Sequence, residues 1–223
     1  MATYLHRKLG NQGRFVLMSR NPRAAGLRTA GFTLIEMVVT MTIFALLVAL
    51  TVPTMRTWVA NAKERAVAEQ LQNGLRLAQT EALRRGRQVV FTLTNTPNPQ
   101  VGFAGGASGN YWAAQTIPAV AGDPAVIVGS GPLTSGGTTP TISGVYVSFC
   151  YNSVGRLVTQ LTTGVAGAFC LAPMSQQNGS VMWAITVSMP QADHQLIVEV
   201  NLGGQIRICD PTQTLSASNP YGC

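Results

Sequence analysis

Asp193 and His194 are the obvious acid–base candidates, because a carboxylate beside an imidazole can hold the ring that activates a nucleophile. They are chain neighbours in a stretch that reads as strand, where consecutive side chains point to opposite faces and cannot orient one another. No nucleophile-elbow pattern accompanies them. Cys150, Cys170, Cys209 and Cys223 could ligate a metal or form disulfides. No C-x-x-C spacing occurs and His194 is the sole histidine after residue 31, so neither zinc nor any other cofactor is implied. The glycine-rich run 102–109 lacks the lysine and following helix of a phosphate loop and reads as a plain loop. Asn178-Gly-Ser180 has a glycosylation sequon but is more simply a turn between strands. Arg84, Arg85 and Arg87 could touch an anion. Cations are favoured at a helix C-terminus, however, and Glu81 lies one turn before Arg85. Tyr111, Trp112 and Trp183 could anchor a partner, although Trp183 lies in an apolar strand and reads as core.

Glu36 remains, and its setting is unusual. It is the only charge in the apolar run 32–52, which as a helix is roughly 31 Å long and matches a hydrocarbon core of roughly 30 Å. A carboxylate at that depth costs about 3 kcal/mol or needs a partner. Of fifteen Lys and Arg residues, six (Arg7, Lys8, Arg14, Arg20, Arg23 and Arg28) precede Gly31. The rest of the chain is therefore close to neutral despite an overall charge of +7. Cations upstream and none within the run orient the span with its N-terminus in the cytoplasm and all that follows Pro53 outside. An ordinary secretory signal fits less well, because the run exceeds the usual apolar core of such signals and a helical pattern continues past it. Export puts all four cysteines where disulfides form.

The span continues through Pro53, which should bend it locally. An amphipathic helix follows, with apolar residues at Val59, Ala66, Val67, Leu71, Leu75, Ala78 and Ala82, stopping at Gly86. Beyond it, runs at 88–94, 145–150, 181–187, 195–200 and 205–209 read as strands of one antiparallel sheet. Turn signals at Asn152-Ser-Val-Gly155 and Asn201-Leu-Gly-Gly204 suit hairpins. The Gly/Pro/Thr/Ser-rich stretch 95–144 reads as weakly structured or as an edge-strand excursion. The expected class is α+β: a leader, 1–31; a transmembrane half-helix, 32–53; an amphipathic half-helix, 54–86; and a β-rich domain, 87–223.

Gly31-Phe-Thr-Leu-Ile-Glu36, between a basic leader and an apolar helix, resembles the type IV prepilins. The resemblance implies cleavage between Gly31 and Phe32 by a membrane prepilin peptidase and methylation of the new N-terminus. It also implies a Glu36 that pairs with the N-terminal amine of a neighbouring subunit, and a helix-bending role for Pro53. The helical start, the strand-rich remainder and the segment Gly204-Gln-Ile-Arg-Ile-Cys-Asp-Pro211 look like the GspH/FimT branch of minor pilins and pseudopilins. That likeness implies a C-terminal staple between Cys209 and Cys223, with Cys150 and Cys170 as the second pair. The sequence itself leaves all three connectivities of four cysteines open.

The expected function is structural and not enzymatic: a minor pilin that primes or caps a type IV pilus. A type II secretion pseudopilin is the alternative. The implied partners are the peptidase, other minor and major pilins or pseudopilins, and inner-membrane lipid, with the β-rich domain in the periplasm. Some members of the branch bind DNA through basic residues near this C-terminal segment, but Gln205 stands where the first arginine would be and only Arg207 carries over. From Gln88 onward Arg156 and Arg207 face Asp123, Asp193, Glu199 and Asp210, a net −2, so a DNA receptor is disfavoured. Met18, rather than Met1, would give a leader of more ordinary length.

Overall fold

The computed structural model describes residues 31–120, 122–144, 148–159, 170, 176–177 and 180–223. The leader with its alternative start at Met18, the first part of the 145–150 run and the Asn178-Gly179 turn lie outside these residues. The chain divides into two compact units, 1–45 and 46–223. In the first, Gly31 to Thr33 lead into helix α1, Leu34–Arg85, whose opening turns are exposed throughout. The helix continues through Pro53, which has no N–H to donate to the carbonyl one turn back. The helix is long and apolar enough to cross a membrane, with a mean hydropathy of 2.3 over its most apolar window.

In the second unit, α1 presents an apolar stripe of Ala60, Val67, Ala68, Leu71, Leu75, Ala78 and Ala82, all buried, at three- and four-residue spacing. Val59, expected on this face, is 40% exposed, because Ala60 holds the inward position one residue on. Gly74 permits close packing: a Cβ there would meet the Trp112 ring at 2.9 Å and Phe91 at 3.0 Å. The helix ends at Gly86, whose φ of 61° lies in the left-handed region that favours glycine.

The β-rich part forms two antiparallel sheets, where the sequence led us to expect one. The first has the order β3-β2-β1-β5, from Val89–Thr94 (β1), Tyr111–Thr116 (β2), Ile127–Pro132 (β3) and Ser148–Tyr151 (β5). The second runs β4-β7-β8-β9, from Thr141–Gly144 (β4), Ser180–Ser188 (β7), Leu196–Asn201 (β8) and Ile206–Cys209 (β9), with β6, Gln176–Gln177, pairing off β7. The stretch 95–144 thus supplies three strands. One of them, β2, is internal, paired with β1 and β3, and not an edge. Its Ala113 and Ala114 carry little strand propensity. The second sheet faces the helix with Trp183, Ile185, Val198, Val200 and Ile206. Within the first sheet Phe91 stacks on Trp112 with centroids 5.6 Å apart, and Phe149 joins the two sheets by meeting Trp183 at 5.0 Å.

Polar side chains of α1 fasten the loops. Gln79 Nε2 donates to the carbonyls of Gly155 at 2.8 Å and Gly204 at 3.0 Å, holding both predicted turns against the helix. Gly204 is required there, since its φ is 85° and a Cβ would lie 2.1 Å from the Gly155 carbonyl oxygen.

Candidate functional site

The N-terminal motif is built from the first turn of α1. Thr33 is the N-cap: its Oγ1 accepts the Glu36 N–H at 3.3 Å, and its carbonyl accepts the Met37 N–H at 3.2 Å. Thr33-Leu-Ile-Glu36 has the spacing of a capping box, a signal legible in the sequence but not used in reading it. Glu36 lies in the first turn, where unpaired N–H groups favour a negative charge. Phe32 is 78% exposed, and Leu34, Ile35, Met41, Phe44, Leu46 and Leu50 are all more than half exposed. Gly31 has no positive φ, and a Cβ there would meet nothing within 4 Å, so the fold makes no demand for glycine at that position. A requirement for glycine would have to come from another molecule.

The distal candidates lie at the opposite end of the sequence. Cys209 pairs with Cys223 across a Cα separation of 5.1 Å, and Cys150 pairs with Cys170 across 5.6 Å. The Cys209–Cys223 bridge ties the C-terminal segment back to β9. The main chain repeats the connection: Asp210 N–H donates to Tyr221 O at 2.7 Å, and Cys223 N–H donates to Asp210 O at 3.3 Å. Arg207 does not stand free. Its Nε donates to Glu199 Oε2 at 2.7 Å across the β8–β9 pair, and the Glu199 side chain is only 11% exposed. Glu199, Cys209 and Cys223 are the one close group of potential metal ligands among the described residues, and its two sulfurs are bonded to each other.

Asp193 and His194 require a correction. They lie in the turn before β8 and not on a strand, so their side chains do meet: His194 Nδ1 contacts Asp193 Oδ1. His194 Nε2 is 3.8 Å from Asp210 Oδ2. The hydrogen bond that the His194 ring makes to the Asp193 carboxylate raises the His194 pKa, and the same contact lowers that of Asp193. Burial would raise Asp210, but hydrogen bonds from the Thr212 hydroxyl and amide, with His194 nearby, leave it below the usual carboxylate range. No serine, threonine or cysteine thiol is hydrogen-bonded to this imidazole among the described residues.

Sequence reasoning missed Glu64. It occupies the apolar stripe of α1, four residues after Ala60 and three before Val67, and is fully buried. Neither carboxylate oxygen has a hydrogen bond of normal geometry. Burial pushes its pKa up to about 7, against a smaller downward pull from His194 and the Leu196 main chain. The clue was available: a carboxylate at i+4 from one stripe residue and i−3 from another faces inward. By contrast, Glu81 is a surface group, held down to about 2 by hydrogen bonds from Arg84 and Arg85. Arg87 pairs with Asp123. The arginine cluster at the helix end is therefore internally neutralised.

Comparison with known proteins finds matches for two stretches of the chain. Residues 67–190 match the family model described as Type II transport protein GspH, and residues 27–52 match the prokaryotic N-terminal methylation motif. Among solved structures, the type IV minor pilin FimU of Pseudomonas aeruginosa is 14% identical, with a TM-score of 0.43 over 67% of this chain and 94% of its own. The minor pseudopilin EpsH of the Vibrio cholerae type 2 secretion system is 11% identical, with a TM-score of 0.42 over 68% of this chain and 99% of its own. A search of curated proteins gives no match. With the GspH match covering more than half of its length and the methylation motif lying over Gly31 to Glu36, this chain belongs to the GspH family of the type IV pilin superfamily, as a minor pilin or pseudopilin.

Proposed function

We propose that the chain is a minor pilin that primes or caps a type IV pilus, working by packing and not by turnover. The observation that carries this reading is the start of α1: an exposed apolar helix that begins two residues after Phe32 and whose first turns carry a single charge, Glu36. A prepilin peptidase cleaves between Gly31 and Phe32 and methylates the new amine. The steric freedom at Gly31 supports this, because the chain's own fold has no use for a glycine there. Before assembly, residues 32–53 anchor the subunit in the inner membrane with residues 87–223 in the periplasm. On assembly, the Glu36 carboxylate pairs with the α-amino group of a neighbouring pilin. That contact offsets the cost of holding both charges in an apolar bundle, while Pro53 adjusts the helix where span gives way to amphipathic half.

The test is intact-mass and N-terminal peptide analysis of the chain expressed with and without its prepilin peptidase. A methylated, peptidase-dependent N-terminus at Phe32 is expected. An unprocessed chain, or cleavage beyond Val52, would overturn the reading. The second reading is a minor pseudopilin of type II secretion, favoured by the description of the family that residues 67–190 match. Deleting the gene separates the two: loss of surface pili with secretion intact marks the pilus, and the reverse marks the secretion machine. A DNA receptor is not proposed, since Arg207 is engaged by Glu199.

A further inference from the structure

Beside the second sheet lies a groove of about 700 Å³ that neither the apolar helix nor the disulfide clip accounts for. One wall is α1, with Arg65, Glu69, Gln72 and Arg76; the other is β9 with Ile208, and Tyr221 stands at its rim. The strand β9 is the edge of its sheet. Asn201 N–H donates to Gln205 O at 3.0 Å, which makes Glu199/Arg207 and Ile197/Cys209 the hydrogen-bonded pairs of the β8–β9 ladder. Ile206 and Ile208 therefore turn their main-chain groups outward, into the groove. The Ile206 carbonyl is capped by Gln72 Nε2 at 3.3 Å, and the edge beyond Ile208 is closed by the Asp210–Tyr221 bond. Ile208 is left between them with an N–H and a C=O that have no partner among the described residues, an open slot for one residue of an added strand.

Charge selects the occupant. Arg65 pairs with Glu69 and Arg207 with Glu199, whereas Arg76, exposed in the same groove, has no ion pair among the described residues. A second copy of this chain is poorly equipped to meet it. Beyond the helix its acidic residues are Asp123, bound to Arg87; Glu199, bound to Arg207; Asp210, buried; and Asp193, held by His194. We propose that the groove between α1 and the open edge of β9 receives an extended segment of a different pilin subunit, which pairs with Ile208 and places an acidic side chain on Arg76. This rests on the filament-subunit reading and adds a heterotypic contact to it. The backbone slot argues for a polypeptide over other polyanions, since a nucleic acid has no strand to add.

The experiment uses the full chain in its native membrane, carrying Asn73→p-benzoylphenylalanine as a photo-crosslinker on the exposed helix wall of the groove. The expected product joins this position to an extended segment of another pilin with an acidic residue within about three positions of the crosslink, the reach of neighbouring strand residues. Arg76→Glu and Ile208→Pro should each lower the yield at least about tenfold, as expected for loss of a charge-assisted or main-chain contact. Reversing the partner's acid to lysine should restore yield with Arg76→Glu, and Arg156→Glu, outside the groove, should leave it unchanged. A product formed only with a second copy, lipid or nucleic acid, no product at all, or a yield insensitive to Arg76→Glu would overturn the proposal. The N-terminus is read from the same sample: a mature Phe32 terminus with an insensitive crosslink removes only the groove contact, whereas an unprocessed chain removes the pilin reading itself.

Discussion

Replacing Glu64 by Gln should make the protein more stable, increasingly so as pH rises. The side chain is fully buried with no hydrogen bond of normal geometry to either oxygen, and its pKa rises from 4.5 to about 7. A carboxyl group with a raised folded-state pKa binds its proton more tightly in the native state. Its unfavourable contribution is therefore small below pH 4.5, grows as pH passes from 4.5 to 7, and is complete above 7. At about 1.4 kcal/mol per pK unit, the gain for Glu64→Gln at pH 8 is at most about 3 kcal/mol, and at pH 5 about 1 kcal/mol. The amide that replaces the carboxylate would itself be buried and need partners, which makes these figures ceilings. His194 titrates in the same window. Its raised pKa contributes stability that is full below 6.5 and lost as pH rises through the folded value, so the comparison must be between variant and parent at each pH. The assay is urea unfolding of the detergent-solubilised chain at pH 5 and pH 8, followed by tryptophan fluorescence. A Glu64→Gln variant that is less stable than its parent at pH 8, or whose difference does not change with pH, would refute the reasoning.

Gly74→Ala should destabilise the helix–sheet contact by roughly 1–3 kcal/mol, because the new methyl would press on the Trp112 and Phe91 rings; an unchanged urea midpoint would show that the helix can move away. Cys223→Ser should cost about 3 kcal/mol on the chain-entropy account and free the C-terminal segment to protease, measured by limited digestion and denaturant unfolding. Arg207→Ala should cost about 2–4 kcal/mol by leaving Glu199 without its cation, with duplex DNA binding at low salt no different from the parent. Glu36→Ala should leave the unfolding of the β-rich part unchanged while abolishing incorporation into filaments, scored by the subunit's presence in sheared pili.

The features legible in the sequence are those whose physics is local. The apolar helix and the Gly31–Glu36 motif lie in contiguous residues, and the strands ending at Thr94, Ser188, Asn201 and Cys209 announce themselves by β-branched runs between turns. The strand β2 did not, because Ala113, Ala114 and Gln115 are strand residues only by virtue of having a neighbour on each side. Division into two sheets was equally hidden, since it depends on β5 returning to β1 while β4 crosses to β7.

The groove beside β9 shows the limit most clearly. Arg65 and Arg76 belong to the helix, and Ile208 and Tyr221 come more than 130 positions later, so no window of sequence contains the site. What the sequence does hold is a set of residues that break a local rule: Glu64 in an apolar stripe, and an arginine on that helix with no acid three or four positions away, since Gln72, Asn73, Gln79 and Thr80 flank Arg76. Arg56, Arg76 and Arg156 have no ion pair among the described residues, and of these three only Arg76 lines the groove beside β9. A groove in which Arg65 and Arg207 are neutralised and Arg76 is not, beside an open strand edge, is arranged to be completed by a second chain, and the charge-reversal pair across that edge is where this argument holds or breaks.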